Sequence, residues 1–167
     1  MLGLINIRLS TRADSAALAS LHRDAWRYAY RGIIPGIRLE RMIARRGPAW
    51  WGRMHESGPR ALVLEFDNRV AGYATFGPCQ TQSFPRRGEI YELYMRPEFQ
   101  GTGFGRRLFG EARRHLRANG LVGLLVWSLA ENDLACRFYK ALGGRERIRG
   151  YERIGGARLE KIAFVWR

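Results

Sequence analysis

Residues Arg96-Pro97-Glu98-Phe99-Gln100-Gly101-Thr102-Gly103-Phe104-Gly105-Arg106-Arg107-Leu108 constrain the fold more than any other stretch. A hydrophobic strand, Glu89 to Met95, runs into them, and a basic amphipathic helix leaves them. The alternating glycines let backbone N–H groups approach an anion with no Cβ between, and the first turn of the helix offers N–H donors that lack intrahelical partners. Arg106 and Arg107 follow at once. Cations at a helix N-terminus oppose the macrodipole at about 0.3–1 kcal/mol each, a penalty that a bound anion reverses. The turn therefore reads as a pyrophosphate cradle. Neither G-x-G-x-x-G nor G-x-x-x-x-G-K-[ST] can be laid over 101–110, which leaves Q-x-x-G-x-G, with Gln100, Gly103 and Gly105 in place.

The cradle must sit in one domain, because 167 residues with 46% hydrophobic content supply a single substantial core, spanning 1–167. Met1 to Arg8 is too short and polar for a secretory segment, and no apolar run approaches the ~18 residues of a membrane span. A cytoplasmic protein with no membrane partner is expected. Cys79 and Cys136 form no C-x-x-C, and His22, His55 and His115 lack ligand spacing, so neither a disulfide nor a metal is expected. Cys136, one turn before Tyr139, reads as a small buried thiol rather than a nucleophile.

The net charge is +14, from 29 Lys+Arg against 15 Asp+Glu, and only Lys140 and Lys161 are lysines. This balance attracts polyanions, yet the arginines are scattered instead of massed in one tail, so nucleic acid is not singled out. Arg106 and Arg107 alone have a specific reason for their place.

Periodicity lays out the rest. Ile5 to Leu9 alternates as a strand, and Asp14 is placed to cap a helix through Ala17, Leu18, Leu21, Ala25 and Tyr28. Leu39 to Ile43 and a stretch opened by Pro48 are helical. Ala61 to Phe66 and Val70 to Phe76 make a hairpin about Asp67-Asn68. Phe104, Leu108, Ala112 and Leu116 give the next helix an apolar face, and Asn119-Gly120 ends it. Gly123 to Ser128 is a buried strand, Asn132 or Asp133 caps a short helix that Gly143-Gly144 closes, and Glu146 to Ile154 and Leu159 to Trp166 pair about Gly155-Gly156. The order is β-α-α-β-β-β-α-β-α-β-β. The apolar run Ile162 to Trp166 is expected to be an edge through which a homodimer forms.

Three segments in sequence, Gly88 to Met95, the Gln100-x-x-Gly103-x-Gly105 turn, and Asn132-x-x-Ala135-x-x-Phe138-Tyr139, resemble the GNAT (GCN5-related) N-acetyltransferase superfamily. The resemblance covers nearly the whole chain and is most specific from 88 to 143. It implies an α/β fold with a mixed, mostly antiparallel sheet, helices on both faces, and a splay between the fourth and fifth strands. It also implies acetyl-CoA as co-substrate, no metal, and transfer of acetyl to a primary amine in a ternary complex. Leu93, Tyr94, Met95, Gln100, Gly101, Thr102, Gly103, Phe104, Gly105, Arg106, Asn132 and Tyr139 are the expected cofactor contacts, with Leu93 and Met95 offering backbone groups to the pantetheine amides.

By the same resemblance Tyr139 is the acid for the departing thiolate, and Asn132 steadies the pantetheine or the tyrosine. Seven residues apart, the two lie about 10 Å apart along one helix face. Glu89 and Glu92 are the candidate bases, Glu89 favoured, a water chain being the other option. Strand parity sends the two to opposite sides unless a bulge intervenes. Trp26, Tyr30 and Glu92 are the expected acceptor contacts, with Trp50 and Trp51 nearby in sequence. The acceptor is left open, a small-molecule amine being preferred to a protein α-amine or lysine. The alternative from another class is a basic RNA- or protein-binding module, with acyl-CoA a regulatory ligand or absent.

Overall fold

The computed structural model describes residues 3–84 and 86–167; Met1 and Leu2, part of the N-terminal segment read above, lie outside them. Twelve main elements follow one another: β1 (Ile5–Leu9), α1 (Ser15–Tyr30), α2 (Gly36–Arg45), α3 (Pro48–Ser57), β2 (Arg60–Phe66), β3 (Arg69–Pro78), β4 (Gly88–Met95), α4 (Phe104–Ala118), β5 (Leu124–Leu129), α5 (Asp133–Ala141), β6 (Arg145–Ile154) and β7 (Ala157–Trp166). Three helices separate β1 from β2, one more than the element order above counts, and the third opens at Pro48 as its sequence reads. Among the described residues no helix is long and apolar enough to cross a membrane.

The strands form one sheet in the order β1-β2-β3-β4-β5-β7-β6. Every neighbouring pair is antiparallel except β4 with β5. Asp67 (φ 49°) and Asn68 (φ 64°) both take left-handed backbone, the conformation a tight two-residue hairpin demands and these residue types tolerate.

Side-chain alternation sorts the core into two layers. Ala61, Val63 and Tyr73 face Leu18, Leu21, Ala25, Trp51 and Met54 of α1 and α3. Leu62, Leu64, Ala74 and Phe76 point the other way, onto Leu108, Phe109, Ala112 and Leu116 of α4. Helices thus cover both faces of the sheet.

Two expectations change. Asp14 makes no cap bond to α1; its carboxylate accepts from the Thr11 N–H at 2.7 Å and from Arg8 at 2.8 Å, tying β1 to the preceding 3-10 turn. Ile162 to Trp166 is not an edge: β7 lies between β5 and β6, and these five residues are buried. The edge strand at this end of the sheet is β6, which exposes Arg145, Arg147, Arg149 and Arg153, charges that discourage edge-to-edge pairing. The apolar edge offered as the reason for a homodimer is therefore not available.

Candidate active site

The site begins where β4 and β5 part. Only Gly88↔Leu124 and Glu89↔Leu125 pair, after which the strands diverge. From Ile90 onward β4 is bonded to β3 on one side, through Ala74↔Leu93 and Gly72↔Met95, so its other edge keeps free backbone groups. Directly beyond, Gly101 (φ 74°) and Gly103 (φ 85°) turn the chain into α4, a conformation that L side chains rarely adopt. A Cβ on Gly105 would stand 3.3 Å from the Phe138 ring, so the third glycine lets α5 approach α4.

These elements enclose a slot of about 420 Å³. Leu93, Tyr94, Met95, Gln100, Gly101, Gly103, Gly105, Arg106, Asn132 and Tyr139 line it, ten of the twelve expected cofactor residues. The other two face elsewhere. Thr102 Oγ1 donates to the Phe99 carbonyl at 2.5 Å and accepts from the Phe104 N–H at 3.4 Å, stiffening the turn. The Phe104 ring packs against Phe66 and Phe99. Ala135 and Phe138, quoted in the α5 motif but not among the expected cofactor contacts, also line the slot. Their spacing of three and six residues from Asn132 was the available signal.

A larger cavity, about 1210 Å³, adjoins the slot and shares Leu93, Tyr94, Asn132, Ala135 and Tyr139 with it. Trp26, Tyr30, Glu89 and Glu92 line it, as do Trp50, Gln80, Trp127 and several arginines. Trp51 does not; it is fully buried under α1.

Parity is broken on β4. Consecutive residues Thr75 and Phe76 of β3 pair with Glu92 and Ile90, so Tyr91 is an extra residue, and Glu89 and Glu92 line one cavity together. Gly77 makes room for the displaced tyrosine, since a Cβ there would meet the Tyr91 hydroxyl at 2.7 Å. That hydroxyl donates to the Pro78 carbonyl at 2.5 Å.

The two carboxylates differ in their surroundings. Arg46 Nη1 donates to both oxygens of Glu92, at 2.8 and 2.7 Å, and the Tyr73 hydroxyl donates at 3.4 Å. Glu89 accepts from the Gln80 N–H at 3.1 Å and has no ion pair among the described residues. Burial pushes Glu89 above the usual carboxylate range.

Tyr139 is 5% exposed, packed among Phe109, Phe138, Phe164 and Trp166. Burial holds its hydroxyl far above the ordinary tyrosine value, so it keeps its proton at neutral pH. Among the described residues that hydroxyl makes no hydrogen bond. Asn132 sits just outside α5 as its N-cap, with Oδ1 accepting from the Ala135 N–H at 3.2 Å. Its amide N–H groups have no acceptor among the described residues. Cys136 is buried, and desolvation raises its thiol pKa, the opposite of what a nucleophile needs.

A splayed parallel pair beside a glycine turn at a helix start is the fold feature that the family resemblance called for. Residues 17–143 match the model of the Acetyltransferase (GNAT) family. The chain belongs to this family. As a GNAT it is an acyltransferase of a family that uses acetyl-CoA as co-substrate, which sets the binding-module alternative aside. Uncharacterized N-acetyltransferase YuaI of Bacillus subtilis is 26% identical over 163 residues, 98% of this chain and 93% of that protein. L-amino acid N-acyltransferase MnaT of Escherichia coli is 26% identical over 140 residues, 83% of this chain and 78% of that protein. The crystal structure of a PaiA N-acetyltransferase from Thermoplasma acidophilum in complex with coenzyme A superposes with a TM-score of 0.76 at 19% identity. It covers 95% of this chain and 98% of that one.

Proposed function

We propose that this GNAT transfers the acetyl group of acetyl-CoA to the primary amine of a small molecule. Tyr139 carries the reading: it lines both the glycine-lined slot and the larger cavity, and its protonated hydroxyl has no hydrogen-bond partner among the described residues. Acetyl-CoA supplies a thioester carbonyl and a thiol leaving group. The free edge of β4 at Leu93 and Met95 offers backbone groups to an extended amide-bearing arm. Backbone N–H groups of the 101–105 turn, with Arg106 beside them, suit a pyrophosphate. The bound coenzyme A of the Thermoplasma structure, in a protein of the same fold, supports this assignment.

Glu89 takes a proton from the attacking amine. Burial raises its pKa toward the range where a carboxylate is an effective base near neutral pH; Lys161 opposes this from a distance, and no cation forms an ion pair with it among the described residues. Tyr139 gives its proton to the sulfur as the C–S bond breaks and the C–N bond forms. Glu92, held by Arg46, shapes the acceptor cavity with Trp26 and Tyr30. The preference for a small amine rests on an aromatic-walled cavity and on the relative named for L-amino acids. The test is thiol release from acetyl-CoA by purified protein across a panel of amines. Amine-dependent, stoichiometric release supports the reading, and release no faster than without amine refutes it.

A further inference from the structure

Arg46 follows α2 and reaches into the wall of the larger cavity, its side chain only 23% exposed. Three indole rings surround the guanidinium, with its carbon 4.3 Å from the Trp50 centroid, 5.2 Å from Trp26 and 6.0 Å from Trp51. Such rings hold a cation and restrict its orientation. Glu92 keeps it charged despite burial.

The ion pair leaves most of the guanidinium unspent. Nη1 alone reaches Glu92, touching both oxygens, while Nε and Nη2 have no acceptor among the described residues. Other arginines of this chain use their planar edge fully. Arg27 pairs Nε and Nη2 with the two oxygens of Glu40, and Arg8 spends Nε, Nη1 and Nη2 on Asp14, Glu65 and the Leu9 carbonyl. A partly desolvated arginine fixed in place with idle donors is suited to receive a carboxylate or phosphate, which accepts such donors in parallel. The rim adds to this. Arg41, Arg45 and Arg53 line the same cavity, are exposed, and have no ion pair among the described residues, so the local field favours an anion.

Resting on the acetyltransferase reading, we propose that Arg46 binds an anionic group of the acceptor, so that the substrate is a small amine that also carries a carboxylate or phosphate. A neutral amine leaves the idle donors of Arg46 without a protein partner, while an anionic one fills them. Glu89, on the same cavity wall and in no ion pair among the described residues, is left for the amine.

The experiment compares matched acceptors at saturating acetyl-CoA: leucine with leucinamide, and O-phosphoethanolamine with ethanolamine, the two pairs separating a carboxylate from a phosphate source. Each amine is read by kcat/KM and by its thermal stabilisation of the CoA-loaded protein, so a slow acceptor still reports binding. The variant is Arg46→Lys, which keeps a cation beside Glu92 but removes the planar fork; alanine would leave a buried carboxylate unpaired. At least a tenfold preference for the anionic member of one pair is expected, carried by KM and reduced about tenfold in Arg46→Lys, with stabilisation by acetyl-CoA retained. Equal handling of both members by both readouts, or an undiminished preference in the variant, overturns the proposal. Failure of acetyl-CoA to bind the wild-type protein sinks the acetyltransferase reading and the proposal with it.

Discussion

Glu89 and Glu92 share a cavity because Tyr91 is an extra residue between them on β4. The bulge brings two carboxylates of opposite circumstance to one site. Glu92 is anchored by Arg46 and Tyr73, whereas Glu89 accepts from the Gln80 N–H, with the Cys79 thiol beside it and no ion pair among the described residues. This division is why we propose Glu89, not Glu92, as the base.

Replacing Glu89 by Gln is expected to lower kcat/KM by about 10²-fold or more, the usual contribution of a positioned base. Because burial raises the Glu89 pKa, activity of the wild type should fall with acid at a pH above the ordinary carboxylate value near 4.3. A pH profile of kcat/KM checks this. The Gln variant should lose that limb, and an identical profile in the variant removes Glu89 from the proton transfer.

Tyr139→Phe keeps the ring in its aromatic surroundings and deletes the hydroxyl. A fall in kcat of about 10²-fold is expected, with acetyl-CoA affinity nearly unchanged, since the lost interaction forms only as the thiolate departs. Steady-state kinetics beside calorimetric binding separate the two effects. Full kcat would exclude Tyr139 as the acid.

Gly103→Val tests the turn by conformation alone. A Cβ there meets nothing within 4 Å, but the backbone stands at φ 85°, where an L residue costs about 1–2 kcal/mol. The domain should fold with a lower Tm, and stabilisation by coenzyme A should be lost as the turn relaxes. Undiminished stabilisation would place the pyrophosphate elsewhere.

His22 supplies a pH dependence of stability. It is fully buried between Trp26 and Trp51, both ring nitrogens lack a partner among the described residues, and burial with the nearby Arg46 lowers its pKa to about 3. Below the unfolded value of about 6.5 the unfolded chain takes a proton that the folded chain refuses, so stability falls as pH drops from there toward 3. Asp14, depressed by Arg8, acts in the same direction but only near and below its unfolded value of 3.8. Glu89 and Glu92, both raised, act in the opposite sense. Comparison of His22→Leu with wild type by denaturant melts between pH 6.5 and 4 isolates the histidine. The variant should lose less stability over that range, and parallel curves would rule the linkage out.

Features written in local chemistry were legible from the sequence. Positive-φ glycines at 101 and 103, the asparagine cap at 132 and the apolar stripe of α4 each depend on neighbours within a turn or two. The Tyr91 bulge has no such mark; it depends on the space that Gly77, on the next strand, leaves for a tyrosine ring. Arg46 joins Glu92 across 46 residues of chain, a pairing periodicity cannot reveal. The run Ile162 to Trp166 reads the same whether β7 is an edge or an interior strand, and the choice is made by pairing with both β5 and β6.

Thermal stabilisation of the purified protein by acetyl-CoA, compared with CoA, NADH and ATP, tests the central claim most directly. Ligand at 100 times Kd should add about 2.7 kcal/mol, visible as a raised Tm. Both acyl and free coenzyme A should produce that rise, with NADH and ATP giving little or none. A Tm that no CoA species moves would contradict the account at its foundation, the glycine-lined slot beside Tyr139.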